Sequence, residues 1–303
     1  MILWNIFRIW PGERLWAVAL VNYFTPWFAL SLIPLIILTF FTGERLLSGV
    51  LLIAFILVAI RFIPNFTPPM ASTTLDNRLK VMSFNVFQRN NDVDAVVELI
   101  LEHEPDIVAL QELTPEIGEQ MVSKLFEVYH YHTPVYLDEM IGQGLLSRYP
   151  IRQLSILPDY RYQRVQVDTP EGSISVFNIH SPKLFPFNWR EDWRIQRSFF
   201  DSLLAEIAKD GDPIIVMGDF NTTPQSENYA LITSGFTDTF IESGWGFGFS
   251  YPARPKLGIS LPTPIVRIDY IFISDHFTSN CTRVLKESGD SDHRPVVSEL
   301  ILK

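Results

Sequence analysis

The chain has 303 residues, a formal net charge of −10 at pH 7 and one cysteine, Cys281. The single cysteine excludes an intramolecular disulfide, and the length allows a substantial buried core. Outside the almost wholly apolar positions 1–66, the sequence holds 20 basic and 32 acidic residues, a formal charge of −12. That balance argues against the basic surface with which proteins usually bind duplex DNA.

The N-terminal segment predicts a membrane anchor over residues 1–66. Positions 15–41 carry no charged residue, and positions 46–63 carry only Arg61. Each stretch is close to the about 20 apolar residues that span a bilayer core, and the polar positions 42–45 suit the turn of a transmembrane helical hairpin. A cleaved signal peptide has one shorter apolar stretch. A buried core pair would need partners that the acidic domain does not obviously supply.

Two features of this anchor stay open. Pro26 and Pro34 either kink the first apolar stretch or divide it into an interfacial helix over 15–24 and a spanning helix from Trp27. The arginines that flank the hairpin favour both of its ends on the cytoplasmic side of a bacterial inner or plasma membrane. If positions 15–24 crossed the bilayer as a third span, the following domain would face the other side.

Residues 67–78 form a polar, proline-rich linker, and residues 79–303 are expected to form one globular α/β domain. Its predicted strands are 79–86, 106–111, 144–147, 151–157, 161–167, 173–179, 214–217, 270–273 and 296–301, and its predicted helices are 93–102, 115–129 and 189–207. Mixed strands with helices outside them indicate two packed sheets flanked by helices.

The most informative motif is Gly218-Asp219-Phe220-Asn221, which follows the apolar strand 214–217. Residues i and i+2 of an extended chain point the same way, so Asp219 and Asn221 can address one small target together. Five other apolar stretches also deliver an acid, an amide or an imidazole. The residues in question are Asn85, the Gln111-Glu112 pair, Asn178 with His180, Asp269, and Asp292 with His293.

Each of these residues also has a purely structural interpretation. In chain order, the alternatives are a turn former (Asn85), a solvated strand end (Glu112), a core histidine (His180), an Asx-type turn (Asp219 with Asn221), a surface ion pair (Asp269 with Arg267) and a turn cap (Asp292). Six such coincidences in one chain are improbable. The pattern as a whole therefore favours a metal-dependent hydrolase of phosphate esters.

That chemistry needs a divalent cation to neutralise phosphoryl oxygens, a base to aim water, and donors for the developing charge. Magnesium prefers oxygen ligands. Oxygen donors without cysteine or clustered histidine argue against zinc and predict Mg²⁺, with Mn²⁺ as the alternative. The oxygen-bearing residues are Asn85, Glu112, Asp219, Asn221 and Asp292.

Taken together, the motifs resemble the endonuclease/exonuclease/phosphatase superfamily, which includes pancreatic-type deoxyribonucleases, abasic-site endonucleases, neutral sphingomyelinases and inositol-polyphosphate 5-phosphatases. The resemblance covers about residues 79–303. It rests on Asn85, Gln111-Glu112, Ser147-Arg148-Tyr149-Pro150-Ile151, Asn178-Ile179-His180, Gly218-Asp219-Phe220-Asn221, Ile268-Asp269-Tyr270-Ile271 and Ser291-Asp292-His293-Arg294-Pro295. It implies a four-layer α/β/β/α sandwich with two packed mixed sheets.

The resemblance also implies how the cation and the water are held. Glu112 would be the principal Mg²⁺ ligand, with Asn85 and Asp292 beside it. Asp219 would orient or deprotonate the attacking water, and Asn221 would hold a phosphoryl oxygen.

Two histidines complete the site that the resemblance implies. His293 would face the scissile phosphate, held by Asp269 as a histidine–carboxylate pair. His180 would be a phosphate ligand or a general acid. The abasic-site branch generally has a tyrosine there, so this residue disfavours a DNA-repair enzyme.

Two aromatic segments bear on the substrate. Positions 181–194 interleave aromatic residues with arginines, which suits either a membrane interface beside anionic headgroups or a core face with a solvated arginine stripe. Positions 244–254 are rich in glycine and aromatic residues and are expected to line the cleft. Arg194 and Arg254 are candidate phosphate contacts.

The sequence therefore predicts a membrane-tethered, metal-dependent phosphoesterase. It would cleave a phosphate mono- or diester, a lipid phosphate or a small phosphoester, by metal-assisted in-line attack of water. The alternatives are a Mg²⁺-dependent endonuclease or exonuclease on DNA or RNA and, third, an inactive scaffold. The expected partners are the bilayer, through the hairpin, and the phosphoester, with nucleic acid less favoured.

Overall fold

The computed structural model describes residues 2–10, 12–67, 78–133, 141–156, 161–211, 213–254 and 264–303. The predicted linker 67–78 lies almost wholly outside the described residues. The helices of the described residues are α1 Ile2–Phe7, α2 Trp16–Tyr23, α3 Thr25–Phe41, α4 Arg45–Ala59, α5 Val93–His103, α6 Pro115–Leu125, α7 Trp189–Ile207, α8 Glu227–Ile232 and α9 Thr239–Ser243. The strands are β1 Arg78–Asn85, β2 Ile107–Gln111, β3 Tyr131–His132, β4 Gln143–Ser147, β5 Ile151–Ile156, β6 Tyr162–Thr169, β7 Gly172–His180, β8 Ile214–Asp219, β9 Thr237–Asp238, β10 Asp269–Ile273, β11 Phe277–Val284 and β12 Val296–Leu302.

The strands form two mixed six-stranded sheets. The first has the order β11-β12-β1-β2-β4-β3 and the second the order β5-β6-β7-β8-β10-β9. Within each sheet one central pair is parallel, β1 with β2 and β7 with β8, and the other pairs are antiparallel. The central strands are buried on both faces, so they appear in the sequence as continuous apolar runs rather than as alternating patterns.

Three apolar clusters separate four layers. The cluster between the sheets includes Val81 and Met217. The other two lie outside them: α5 and α6 cover the first sheet around Ile100 and Met121, and α7 covers the second around Phe200. This arrangement confirms the predicted α/β/β/α sandwich.

One long strand, β11, is absent from the prediction. Its apolar alternation is interrupted by a register shift between Ser279 and Cys281. Behind it lies a buried network of hydroxyl groups rather than an apolar face: Ser279 Oγ is 2.6 Å from Ser243 Oγ and 3.0 Å from Ser298 Oγ. Hydroxyl groups that satisfy one another in a core leave no hydrophobic periodicity to detect.

The N-terminal segment forms an antiparallel helical hairpin, α3 and α4, preceded by the short helix α2. The axis bends by 78° between α2 and α3, at Phe24. The stretch Arg45–Phe62 is long and apolar enough to cross a membrane, and the bent pair passes the same test if it is one span. Most of the large apolar side chains of α3 and α4 are exposed, among them Phe41 and Leu46 at the tip.

The base of this hairpin packs on the domain, which supplies the partners that the sequence did not reveal. The aromatic ring of Trp27 stacks on Phe249 at 5.8 Å, and Phe62 and Phe66 meet the edge of Phe247 at 5.5 and 5.2 Å. Trp27 Nε1 donates a hydrogen bond to the Ile265 carbonyl at 2.8 Å. The hairpin therefore projects from an aromatic contact with the domain, formed by Trp27, Phe62 and Phe66 against Phe247 and Phe249.

A buried ion pair lies in the second sheet, next to this aromatic contact. Arg267 Nη2 lies 2.9 Å from Asp238 Oδ2, with both side chains almost fully buried. Its guanidinium lies 5.1 Å from the Phe240 ring and 5.0 Å from the Tyr270 ring. The structural alternative in which Arg267 pairs with Asp269 at the surface is therefore wrong.

We expect Arg267→Met to lower the free energy of unfolding by about 3–5 kcal/mol, because it leaves the Asp238 carboxylate buried without its counter-charge. Denaturant titration of the full chain in detergent measures the change. The control is Lys124→Met, which breaks an exposed pair, Lys124 Nζ to Asp94 Oδ1 at 2.7 Å. That change should cost within about 1 kcal/mol, and equal costs for the two variants would contradict the account.

Candidate active site

The candidate site lies where the parallel pairs of both sheets end. β1 and β2 end at Asn85 and Gln111, and β7 and β8 end at His180 and Asp219, which face each other in register. A Cβ on Gly218 would lie 1.9 Å from the Ile179 carbonyl oxygen, and Gly218 has φ of +150°. Glycine at this position thus permits the close approach of β7 and β8.

A buried amide pair ties the two sheets together behind the site. Asn178 Oδ1 accepts a hydrogen bond from Gln111 Nε2 at 2.8 Å, and Asn178 Nδ2 donates to the carbonyls of Leu110 and Gly144 at 3.0 and 2.9 Å. Gln111 precedes Glu112, and Asn178 lies two residues before His180. The pair therefore sets the spacing between side chains that come from opposite sheets.

Glu112 is a buried carboxylate directly after β2, at a residue with φ of +58°. Its Oε1 accepts hydrogen bonds from Lys183 Nζ at 3.1 Å and Asn85 Nδ2 at 3.2 Å. Burial alone would raise the pKa of Glu112, but the charges of Lys183 and His293 and the Asn85 hydrogen bond bring it down to about 2. The carboxylate is therefore ionised at neutral pH.

Asp219 ends β8 and is fully buried. It lies directly opposite Asp269 in the antiparallel pairing of β8 and β10. Burial, reinforced by the like charge of Asp269, raises the pKa of Asp219 to about 7, against the opposing charges of His293 and Lys183. A carboxylate with a pKa near neutrality is suited to accept a proton from water.

Two amides surround this carboxylate. Asn85 Nδ2 donates to Asp219 Oδ2 at 3.1 Å, and Asn221 N donates to Asp219 Oδ1 at 2.9 Å. Asn221 has φ of +45°, and its Nδ2 donates to the Ser181 carbonyl at 3.0 Å. Asn85 Oδ1 accepts from Phe87 N at 3.0 Å, so Asn85 approaches the carboxylates through its amide nitrogen.

His293 and Asp269 form the histidine–carboxylate pair that the resemblance implied. His293 Nδ1 lies 2.9 Å from Asp269 Oδ2, and His293 Nε2 points to Asp219 Oδ2 at 3.7 Å. Burial by itself lowers the pKa of His293, but the carboxylates of Asp269 and Asp219 raise it to about 9. The imidazole is therefore a cation at neutral pH, with its Nε2 towards the site.

His180 faces the same centre from β7. Its Nε2 lies 3.6 Å from Asp219 Oδ2 and 3.8 Å from Glu112 Oε1. Burial lowers the pKa of His180 to about 3 despite the nearby Glu112 carboxylate. A neutral imidazole can bind a cation or a phosphoryl group, whereas a general acid must carry a proton.

These donors fit a divalent cation. Glu112, His180 and Asp219 each offer a ligand atom within 4.8 Å of the others, and Asp219, Asp269 and His293 form a second such group. In the second group, Asp269 and His293 already form a hydrogen bond with each other. The first group instead brings two buried carboxylates and a neutral imidazole together, an arrangement that a bound cation would stabilise.

The structure does not bring every predicted residue into this cluster. Asp292 lies beside it, with Oδ1 at 3.9 Å from His293 Nε2. Arg194 is exposed on α7, where its Nη1 lies 3.5 Å from Glu191 Oε2. Arg254 pairs with Asp290. From the predicted cleft-lining positions 244–254, Tyr251 places its ring 4.7 Å from that of His293.

Lys183 was not predicted, yet its ammonium directly contacts Glu112. Lys183 lies three residues after His180, within the aromatic and basic segment 181–194. That position is the one feature of the sequence that could have indicated a place in the site. Lys183 lines a cavity of about 470 Å³ beside His180, together with Arg161, Phe185 and Ile195. The charge of Glu112 raises the pKa of Lys183 to about 12 although burial opposes it, so the cavity has a permanent positive charge next to the cluster.

The chain belongs to the Endonuclease/Exonuclease/phosphatase family, whose profile matches residues 82–293. It is a metal-dependent hydrolase that acts on phosphate ester bonds. It is 24% identical over 273 residues to the uncharacterized protein YbhP of Escherichia coli strain K12, which covers 77% of this chain and 100% of YbhP.

Solved structures share the fold at low identity. The endonuclease/exonuclease/phosphatase of Bacteroides vulgatus has a TM-score of 0.61 at 18% identity, over 75% of this chain and 100% of that one. D. rerio TDP2, complexed with a single-strand DNA product, has a TM-score of 0.61 at 18% identity, over 74% and 99%. A mannosyl-6-phosphatase of Bacteroides thetaiotaomicron has a TM-score of 0.60 at 18% identity, over 74% and 100%.

Proposed function

We propose that this enzyme hydrolyses a lipid phosphate or a small phosphoester at a membrane. The observation that carries the hydrolytic part is the convergence of Glu112, Asp219 and His180 with the His293–Asp269 pair in one buried cluster. Residues 79–303 would be the catalytic domain and residues 1–66 the anchor, in a bacterial inner or plasma membrane.

The chain's own residues account for the proton transfers of the reaction. Asp219 takes a proton from the attacking water as the water oxygen bonds to phosphorus. The phosphorus–ester oxygen bond breaks, and the leaving oxygen takes a proton from the His293 imidazolium. Asp269 keeps that imidazole oriented. Because His180 is neutral at pH 7, it would bind the cation or the phosphoryl group and would not act as the general acid.

A divalent cation would be held by Glu112 and His180, with Asn85 and Asp292 beside them, next to the Asp219 carboxylate that takes the water proton. When bound, it would neutralise the phosphoryl oxygens in the transition state. We assign Mg²⁺ because oxygen donors outnumber the single imidazole, and Mn²⁺ suits the same set. Asn221 Nδ2 donates one of its two N–H groups to the Ser181 carbonyl, and the other would hold a phosphoryl oxygen.

The membrane part of the proposal rests on the exposed apolar hairpin. Burying an exposed leucine, isoleucine or phenylalanine side chain stabilises by about 1.5–3 kcal/mol, and α3 and α4 expose many of them, including Leu38 and Ile53. A bilayer would cover this surface. An enzyme held there meets phosphate esters that reside in or near the membrane.

A phosphoester screen on the full chain in phospholipid vesicles tests this function, with Mg²⁺ and with EDTA. The panel contains phosphatidic acid, phosphatidylglycerol phosphate, p-nitrophenyl phosphate, bis-p-nitrophenyl phosphate, plasmid DNA and single-stranded RNA. We expect Mg²⁺-dependent release of phosphate from a monoester, or of the headgroup or p-nitrophenol from a diester, abolished by EDTA. Efficient nicking of plasmid without release of any of these products would favour the nuclease alternative and contradict the proposal.

The shifted pKa values of Asp219 and His293 predict how kcat/KM depends on pH. Asp219 must be deprotonated to act as base, so kcat/KM should rise through a pKa of about 7, or lower when a bound cation favours the carboxylate. His293 must be protonated, so kcat/KM should fall above about pH 9. Asp269→Asn removes the carboxylate that raises the pKa of His293 and should move the alkaline limb to lower pH. An unmoved limb would contradict the assignment.

A further inference from the structure

The cavity beside Lys183 has an apolar rim. Phe185 and Ile195 line the cavity and are exposed by 54% and 47%. Phe187, in the 3-10 turn Pro186–Asn188 that precedes α7, is fully exposed at 103%. Large apolar side chains that cluster at the mouth of a pocket mark an interaction surface rather than ordinary surface variation.

The rim continues onto the N-terminal segment. Trp189, two residues after Phe187, donates from Nε1 to the Glu13 carbonyl at 2.8 Å. The Arg14 guanidinium lies over the Trp193 ring at 5.6 Å. Leu15 and Trp16 follow directly and are exposed. The segment that leads into α2 thus packs on the first turns of α7, directly after the turn that carries Phe187.

We propose that this face, Phe185, Phe187 and Ile195 with Leu15 and Trp16, lies in the surface of a phospholipid bilayer. The occupant follows from continuity, because the same N-terminal segment passes into the exposed apolar helices α3 and α4. The 78° bend before α3 lets α2 lie along the membrane plane while the hairpin enters it. Arg14 and the exposed Arg190 are placed to meet anionic headgroups.

The cavity therefore opens towards the membrane plane, and its substrate is an amphiphilic phosphate ester. The apolar part of such a substrate stays among Phe185, Ile195 and the bilayer, and its phosphate lies by Lys183 and the cluster. This inference rests on the proposed phosphoesterase function for its substrate, but the membrane contact itself can be measured without any substrate.

The test uses single cysteines in the full chain reconstituted in phosphatidylcholine–phosphatidylglycerol vesicles. Cys281→Ser removes the native thiol, and Phe185→Cys or Phe187→Cys carries an environment-sensitive fluorophore. The control is Phe126→Cys at the end of α6, where Phe126 is also 54% exposed. We expect doxyl-lipid quenching at 185 and 187 and iodide quenching at 126. Iodide quenching at all three positions overturns the inference, even if phosphate release is normal.

A second observation concerns the catalytic loop 219–227. The N-terminal segment, outside the family match, makes a series of polar contacts with it. Tyr23 Oη donates to the Asn221 carbonyl, and Thr223 Oγ1 donates to the Asn22 carbonyl at 3.2 Å. Glu13 and Glu227 exchange two bonds from backbone N to carboxylate, at 2.9 and 3.0 Å.

These contacts include one to Asn221, near the start of the loop. The Asn221 backbone has a left-handed conformation that non-glycine residues seldom adopt, and its N–H is bound by Asp219. The carbonyl of the same residue accepts from the Tyr23 hydroxyl and from Gln196 Nε2, the latter at 3.2 Å. We infer that Tyr23 is a positioning residue, which holds the Asn221 backbone, and through its N–H the Asp219 carboxylate, from outside the domain.

Tyr23→Phe in the full chain tests this role, with Tyr129→Phe as the matched control. Tyr129 Oη donates to the Pro105 carbonyl at 2.7 Å, away from the site. On any ester that the wild type cleaves, we expect Tyr23→Phe to lower kcat about five- to tenfold with KM within twofold. We also expect faster hydrogen exchange over 219–224, and Tyr129→Phe should change neither. Unchanged exchange over 219–224 in Tyr23→Phe overturns the role, whatever the substrate.

Discussion

Glu112→Gln is expected to reduce metal-dependent phosphate release by about 10³-fold or more. The change removes the charge of a carboxylate that lies within 4.8 Å of both His180 and Asp219, while the shape of the side chain is kept. A neutral amide binds a divalent cation far less well than a carboxylate does. Initial rates on the best ester from the screen measure the loss.

Glu112→Gln should still fold, because no cavity forms in the core, but its melting temperature should fall, since Lys183 loses the carboxylate that accepts from its ammonium. Glu299→Gln is the matched control, since it removes a carboxylate in the middle of β12 that pairs with Arg78 at 2.9 Å. Its activity should be unchanged. A Glu112→Gln variant with wild-type rates would remove this residue from the catalytic centre.

His293→Ala is expected to be the second severe loss, of about 10²–10⁴-fold in kcat, which is typical of a general acid or base. The imidazole is the cationic donor that faces Asp219, and Asp269 holds it in place through Nδ1. Single-turnover kinetics on a synthetic ester isolates the chemical step. Asp219→Asn should give a loss of the same order, since it removes the acceptor for the water proton.

An ester with an activated leaving group separates the two roles. A p-nitrophenolate leaves without protonation. The His293→Ala variant should therefore lose less activity on a p-nitrophenyl ester than on an alkyl ester. Asp219→Asn should lose equally on both, because the water must still be deprotonated. His276→Ala, an exposed histidine at the β10–β11 turn, serves as the control. Equal losses for His293→Ala on both esters would contradict its role as the acid.

The sandwich and the cluster could be predicted because their residues carry strong local signals. A central strand buried on both faces, such as β8, is an unbroken apolar run, and its polar end residue stands out. The parallel central strands then bring Asn85, Glu112, His180 and Asp219 to one end of the sandwich. The site thus follows from strand direction together with the residue after each strand.

Other features depend on partners that are distant in the sequence and carry no such signal. The neutral state of His180 and the raised pKa of Asp219 arise from burial and neighbouring charges, which only the folded chain provides. Trp27 and Phe62 are ordinary members of apolar helices until the structure places them against Phe249 and Phe247. Each interpretation of the segment 181–194 applies to part of it. Phe187 is exposed, as an interface residue would be, whereas Trp189 donates a hydrogen bond to the N-terminal segment.

The central claim is that side chains from both sheets gather around one divalent cation. Calorimetric titration of the full chain in detergent with Mn²⁺, repeated with Glu112→Gln, tests it most directly. Saturable binding that Mg²⁺ displaces is expected for the wild type, and loss of that binding is expected for the variant. Binding that persists unchanged in Glu112→Gln, or no saturable binding in the wild type, would contradict the assignment of this centre.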